Sequence, residues 1–273
     1  MTGSDGADVV RQELQVDGTL LSCLTAGDPG APPLLLLHGT FWSRVWQPVL
    51  PILGTRYRCV ALDLPGFGRS GGEVDIEQAT VPALAGVVAR VADALGWERF
   101  DLAAHDIGGG IAQHLAATTG RVGRMVLMNA VMFDSWPVPA VERFRDPKVR
   151  AATTAVDLVE ARRGSTRKAV ARQLSDAEVE DYVSPWHEAA RARSWTAVAA
   201  AADARYTQVL VPALVEAAVP TRLVWVRDDV FRRSSTPSAT CRRCPAATSS
   251  RSLGCTSRPR TPRPTSSGPC WST

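Results

Sequence analysis

Apolar and polar positions alternate in short blocks along the first half of the chain. RQELQVDGTLLSCLTAGD reads as two strands joined at Asp17-Gly18, a dipeptide suited to a tight hairpin turn. After Pro32-Pro33, the run LLLLHG is too short for a helix and apolar on both faces, which suits a central parallel strand. A helix is expected over Phe41–Leu53, ending at Gly54, and YRCVALDLPG reads as a second buried strand. Leu84, Val87, Val88, Val91, Ala92 and Leu95 recur with helical spacing on one face. RFDLAAHD is a third buried strand, GGGIAQHLAATTG a helix stopping at Gly120, and RMVLMNAV a fourth strand.

Strands alternating with helices predict an α/β fold, a mostly parallel, doubly wound sheet covered on both faces. From Phe133 to about Ala218 the pattern is helical only and includes a capping-box spelling at Ser175–Glu178. VPTRLVWVRDD then resumes the sheet. The expected organisation is a core over 1–132, an inserted helical cap over 133–218, a resumed core strand over 219–231 and a tail over 232–273.

Composition changes the picture mainly in that tail. The 273 residues are 45% apolar and 21% charged, which is globular, and no apolar run is long enough to span a membrane. The first residues lack a secretory signal, so a cytoplasmic location is expected. From Arg232 to Thr273 there are eight arginines and no acid; the whole chain carries +4, so the first 231 residues carry −4. The basic balance belongs to the tail, and nucleic acid is not expected as a partner of the body. Ten Ser, seven Thr and six Pro give the tail little to bury, so it is expected to be disordered. TRLVWV would then be left with a bare edge, and the sheet without its last strand and helix. Cys23 and Cys59 in the body imply no disulfide framework. Gly66–Gly71 spells GxGxxG without an immediate helix, and Cys241, Cys244, Cys255 and Cys270 contain only one close pair. Neither a cofactor nor a metal is expected.

The most informative stretch is Ala104-His105-Asp106-Ile107-Gly108, between a buried strand and a helix. A side chain on such a tight turn stands clear of the sheet, and small residues two before and two after let strand and helix approach. The usual spelling has Ser in the middle. Asp106 needs no base to ionise it and can attack carbon to form an ester. Its competing role is a helix N-cap.

With LLLLHGT at 34–40, DLPGFGRS at 63–70, HDIGGG at 105–110 and VWVRDDVF at 224–231, the chain resembles the α/β-hydrolase superfamily. The branch it resembles uses an aspartate nucleophile: the epoxide hydrolases and dehalogenases. The resemblance implies Asp106 as nucleophile, Thr40 and Ile107 as oxyanion-hole N–H donors and Asp229 as the acid that orients a histidine, with Asp134 a lesser alternative. His38 is implied to fix its loop. The family's catalytic histidine lies downstream of the acid, and here the histidines are His38, His105, His114 and His187 only. The triad is incomplete as written, so impaired turnover is expected. Ile107 and Thr40 stand where haloalkane dehalogenases hold halide with Trp and Asn, and haloacetate dehalogenases carry Arg at the Ile107 position. Tyr182 and Tyr206 are candidate donors to an epoxide oxygen, and Trp136, Trp186 and Trp195 candidates to line an apolar pocket. The implied function is an epoxide hydrolase-like reaction on an apolar small molecule. The alternatives are a dehalogenase-like hydrolase and an inactive small-molecule-binding member of the fold.

The acid-free switch after Phe231 also fits a frame-shifted reading of an ordinary hydrolase C-terminus. If Gly254-Cys255-Thr256 is encoded GGN TGY ACN, reading from the third glycine base turns Cys-Thr into YAC, which is His or Tyr, preceded by Leu, Met or Val. Sequencing the coding DNA over Val226–Thr273 is expected to reveal a histidine codon in a shifted frame. A stop codon there, or no histidine beyond position 231, excludes it.

Overall fold

In a computed structural model, residues 6–226, 229 and 247–251 are described, the last five as backbone only. Eight strands form one sheet in the order β1-β2-β4-β3-β5-β6-β7-β8. They are β1 (Val9–Val16), β2 (Thr19–Ala26), β3 (Pro33–Leu37), β4 (Arg58–Leu62), β5 (Phe100–His105), β6 (Val122–Met128), β7 (Thr221–Trp225) and β8 (Ala247–Arg251). β1, β2 and β4 pair antiparallel, and every other pairing is parallel. The hairpin turn forms at Asp17-Gly18, both residues with positive φ as a two-residue hairpin loop requires.

The short apolar strands alternate strictly. Leu35, Leu37, Leu102 and Ala104 belong to one core with α2 (Val81–Ala94) and α3 (Ile107–Thr118), contributing Leu84, Val88, Ile111 and Leu115. Leu34, Leu36, Cys59, Ala61 and Ala103 face the other way, onto Trp46 and Leu50. The segment expected to be one helix over Phe41–Leu53 is instead a single 3₁₀ turn, Ser43–Trp46, and a short helix α1 (Leu50–Leu53). Pro48 and Pro51 account for this, since neither has an N–H to donate and a helix-interior ring collides with the preceding turn.

Between β6 and β7 lie only helices: α4 (Pro139–Glu142), α5 (Pro147–Ala152), α6 (Ala155–Lys168), α7 (Asp176–Val183), α8 (Ala189–Ala200), α9 (Arg205–Gln208) and α10 (Val211–Ala217). α7 carries the expected capping box, with Ser175 and Glu178 satisfying each other's backbone N–H groups. α6 carries a second, between Thr154 and Asp157.

The edge of β7 differs from expectation. Ala247–Arg251 pairs parallel with Thr221–Trp225, so β7 is not bare and an eighth strand is present. A parallel ladder draws on main-chain N–H and C=O groups, which a Ser- and Thr-rich segment offers as fully as an apolar one. The rest of the tail, its four cysteines and the frame-shift question lie outside the described residues.

The chain passes from β3 to β4 on one side and then crosses back to β5 on the other, making the carboxyl ends of β3 and β5 a topological switch point. Leu37 stands opposite Ala104, so the loops leaving these two strands start side by side. Gly108 makes the approach possible: a Cβ there would lie 2.6 Å from the Leu37 carbonyl oxygen and 2.5 Å from that of His38. Gly108→Ala should therefore destabilise the fold by about 1–3 kcal/mol through overpacking. At Gly164 in α6 a Cβ would meet no heavy atom within 4 Å, and Gly164→Ala should stabilise by up to ~1 kcal/mol. Urea denaturation of the two variants checks both signs.

Candidate active site

Asp106 sits between β5 and α3 with φ 53° and ψ −124°, a conformation that non-glycine residues rarely adopt. Its backbone is held there by one long-range and one local bond: its carbonyl accepts from Val131 N at 2.9 Å and from Gly109 N, in the first turn of α3, at 3.0 Å. The side chain makes no N-cap hydrogen bond, so the capping role does not account for this residue. Instead Asp106 Oδ2 accepts from the Thr40 backbone N–H and from Thr40 Oγ1, each at 3.1 Å. Gly39 lets the two strand ends meet, since a Cβ on it would lie 2.3 Å from that of Asp106. Ile107 opens α3, where a first-turn N–H has no acceptor within its own helix.

His38 is fully buried, with Nδ1 2.7 Å from the Gly39 carbonyl and Nε2 accepting from Leu64 N at 2.9 Å. These partners fix the neutral tautomer protonated on Nδ1. Both nitrogens are engaged within the protein, and the residue ties β3's exit loop to that of β4. Asp63, also fully buried, works alongside by accepting from Ser43 N at 2.7 Å and Arg69 N at 3.0 Å. Burial pushes the Cys23 and Cys59 thiols up to about 11, which leaves both un-ionised at neutral pH.

A cavity of about 2230 Å³ opens over Asp106. Thr40, Phe41, Arg162, Tyr182 and Trp195 are among its walls, as are Ala103, Val126, Met128, Trp46 and Tyr57 along the sheet face. It exceeds the roughly 300–1,000 Å³ of an ordinary ligand pocket.

The predicted residues divide accordingly. Asp106, Thr40, Tyr182 and Asp229 border this cavity. Asn129, at the end of β6, donates through Nδ2 to Asp229 Oδ2, and its own Oδ1 accepts from Val226 N at 3.3 Å. Trp136, Trp186 and Tyr206 do not border it. Trp136 is buried with Nε1 donating to Thr207 Oγ1 at 2.9 Å, and Tyr206 is half-buried against the main core. Trp186 stands one layer back, its ring against Phe41 and under the Arg162 guanidinium. His187 is exposed, with Nε2 2.6 Å from Glu180 Oε1.

Sequence reasoning missed Arg162. Its side chain is buried among Phe41, Trp186 and Trp195, with Cζ 4.0 Å, 4.9 Å and 5.5 Å from the ring centres. Nη2 donates to the Thr40 carbonyl at 3.0 Å, where Trp195 Nε1 donates as well, at 3.2 Å. Burial lowers the guanidinium to about 10, while the Asp106 charge works in the opposite direction. A signal existed, for Leu158, Val159, Arg162 and Thr166 form the buried stripe of α6, and a charge on that stripe is anomalous.

A family model described as the alpha/beta hydrolase fold matches residues 32–229. This chain belongs to the α/β-hydrolase fold family. It is 38% identical over 95 residues to epoxide hydrolase 4 of Mus musculus, covering 34% of this chain and 26% of that protein. It is 34% identical over 110 residues to a fluoroacetate dehalogenase of Burkholderia sp, covering 39% and 36%. These matches span well under half the length of either relative. Among solved structures, an α/β-hydrolase fold protein from Burkholderia ambifaria superposes with TM-score 0.77 at 24% identity, covering 88% of each chain. A haloalkane dehalogenase from Bradyrhizobium elkani does so with TM-score 0.74 at 22% identity, covering 89% of each. At those identities the likeness concerns the fold. Among the described residues no helix is long and apolar enough to cross a membrane, and no group of His, Cys, Asp or Glu could hold a metal ion.

Burial holds the His38 pKa below its ordinary 6.5. A depressed folded-state pKa means the unfolded chain takes up the proton first, so this contribution to stability is present above pH 6.5 and is lost as pH falls toward the folded value. His114, also shifted down by burial, acts in the same sense. The thermal midpoint should therefore drop as pH is lowered from about 7 to about 5. In a His114→Gln background, adding His38→Gln should lower the midpoint at pH 7 and flatten the remaining slope. Calorimetry across that range measures both effects.

Proposed function

We propose that this protein is a hydrolase in which Asp106 attacks an electrophilic carbon and forms a covalent ester, with epoxide hydrolase-like chemistry on an apolar organic substrate. The observation that carries this reading is Asp106 itself: a strained strand-to-helix turn, side chain uninvolved in capping, one oxygen held by Thr40. Holding Oδ2 orients Oδ1 toward the cavity. Oδ1 attacks a ring carbon, the carbon–oxygen ring bond breaks, and the ring oxygen takes a proton to become a hydroxyl. Of the two candidate tyrosines, Tyr182 borders the cavity, and it is the proton donor in this reading.

The resulting ester carries Oδ2 as its carbonyl oxygen. Water adds at Cγ, and negative charge collects on Oδ2, where the Thr40 N–H already points and where the first-turn N–H of Ile107 is the second donor in this reading. The Cγ–Oδ1 bond then breaks without carbon loss, the diol leaves, and one water has been consumed. Activating that water calls for a base, with Asp229 as the acid that would orient it and Asn129 holding Asp229 in place. Helices α4 to α10 act as the cap over the site.

No histidine follows His187, and His38 has both nitrogens engaged. The second half-reaction should therefore lag, which also supports a second reading, an inactive binding member of the family. The name of the fluoroacetate dehalogenase relative makes halide displacement the other chemistry to test. Incubation with styrene oxide should add one substrate mass to the intact protein, and none to Asp106→Asn. Rapid multiple turnover by the 273-residue chain would overturn the slow-hydrolysis part of this proposal.

A further inference from the structure

We propose that Arg162 forms a carboxylate-binding subsite in the cavity beside Asp106, so that the substrate is an organic acid whose electrophilic carbon lies a few bonds from its carboxylate. This rests on the reading of Asp106 as the reacting group and narrows its substrate from any apolar organic molecule to one that also carries a carboxylate. The guanidinium is a full cation in an interior position, 7% exposed, and it forms no ion pair with any acidic residue among those described. A buried charge is ordinarily paired. Phe41, Trp186 and Trp195 surround it with ring faces, which attract a cation but accept none of its hydrogen-bond donors in the way an anion does.

Its donors are also underused. Of five N–H bonds, one is directed at the Thr40 carbonyl. Among the described residues neither Nε, which is buried, nor Nη1 has an acceptor. Thr40 separates this cation from the nucleophile, facing Asp106 with its N–H and hydroxyl and Arg162 with its carbonyl. Arg162 is therefore not the structural partner of Asp106, although both border one cavity.

The ligand class follows from charge and shape. A planar fork of N–H donors matches the two oxygens of a carboxylate. One cation in an otherwise apolar surround neutralises one negative charge, whereas a phosphate dianion would leave a second charge desolvated. The cation also comes from α6, across the cavity, and not from the position after the nucleophile, which is Ile107. The site would thus grip the far end of a substrate and leave the reacting carbon over Asp106.

Phenylacetate and phenylacetamide, alike in size and differing in charge, test this by calorimetric titration of the 273-residue protein at pH 7. Phenylacetate should bind at least about tenfold more tightly. Arg162→Met should abolish that preference, and Arg162→Lys should retain part of it, with circular dichroism reporting the fold of each. If Arg162→Met does not fold, the wild-type comparison and the lysine variant decide. Equal affinities in the wild type, or a preference that survives Arg162→Met, would overturn the proposal. Adduct formation with 3-phenylglycidate and with its amide, read by intact mass, separates the two readings. A carboxylate preference in binding without an adduct on Asp106 upholds the subsite and removes the nucleophile. An adduct that forms equally from acid and amide does the reverse.

Discussion

Thr40 holds the site together from both sides. Its N–H and hydroxyl reach Asp106 Oδ2, while its carbonyl receives Arg162 Nη2 and Trp195 Nε1. The Trp195 contact alone is an ordinary hydrogen bond worth about 1 kcal/mol, and the three that involve the Asp106 or Arg162 charge are worth roughly 1.5–3 kcal/mol each. Together they connect the end of β3, the turn after β5 and two helices from the inserted segment through one residue. The connection exists because β3 and β5 are sheet neighbours although 66 residues separate Thr40 from Asp106.

The strain at Asp106 follows from the same adjacency. A positive φ at a non-glycine residue costs roughly 1–3 kcal/mol, and it persists because Val131 N and Gly109 N hold the Asp106 carbonyl while Gly39 and Gly108 leave room. Both glycines press against main-chain or side-chain atoms of the opposite loop, where a methyl group would have no space. Packing density, more than any single bond, keeps the carboxylate turned toward the cavity.

Much of this is legible in the sequence. Strictly alternating apolar strands and the small residues flanking Asp106 are local signals, and the parallel strands β3 to β7, α2, α3 and the elbow, the strand-to-helix turn at Asp106, follow from them. His38, expected to fix its loop, does so through both ring nitrogens. What escapes depends on tertiary placement. Trp136 and Tyr206 look like pocket residues until α9 supplies Thr207 as the partner of one and the main core takes the other. Two prolines divide Phe41–Leu53 into a 3₁₀ turn and a helix of one turn. The strand Ala247–Arg251 lies in a Ser- and Thr-rich stretch of sequence without the apolar run that marks the other parallel strands. Arg162 stands out as a charge on an apolar stripe, but its aromatic surround comes from three separate segments.

The bonds from α6 and α8 to Thr40 end on a main-chain carbonyl. Every amino acid presents that atom, so the joint between the inserted helices and the elbow places no demand on the side chain at position 40 from that direction. The helices and the elbow can accordingly diversify at separate rates. A lineage could exchange the residues of α6 that face the cavity, and with them the molecules admitted, while the geometry around Asp106 is inherited unchanged.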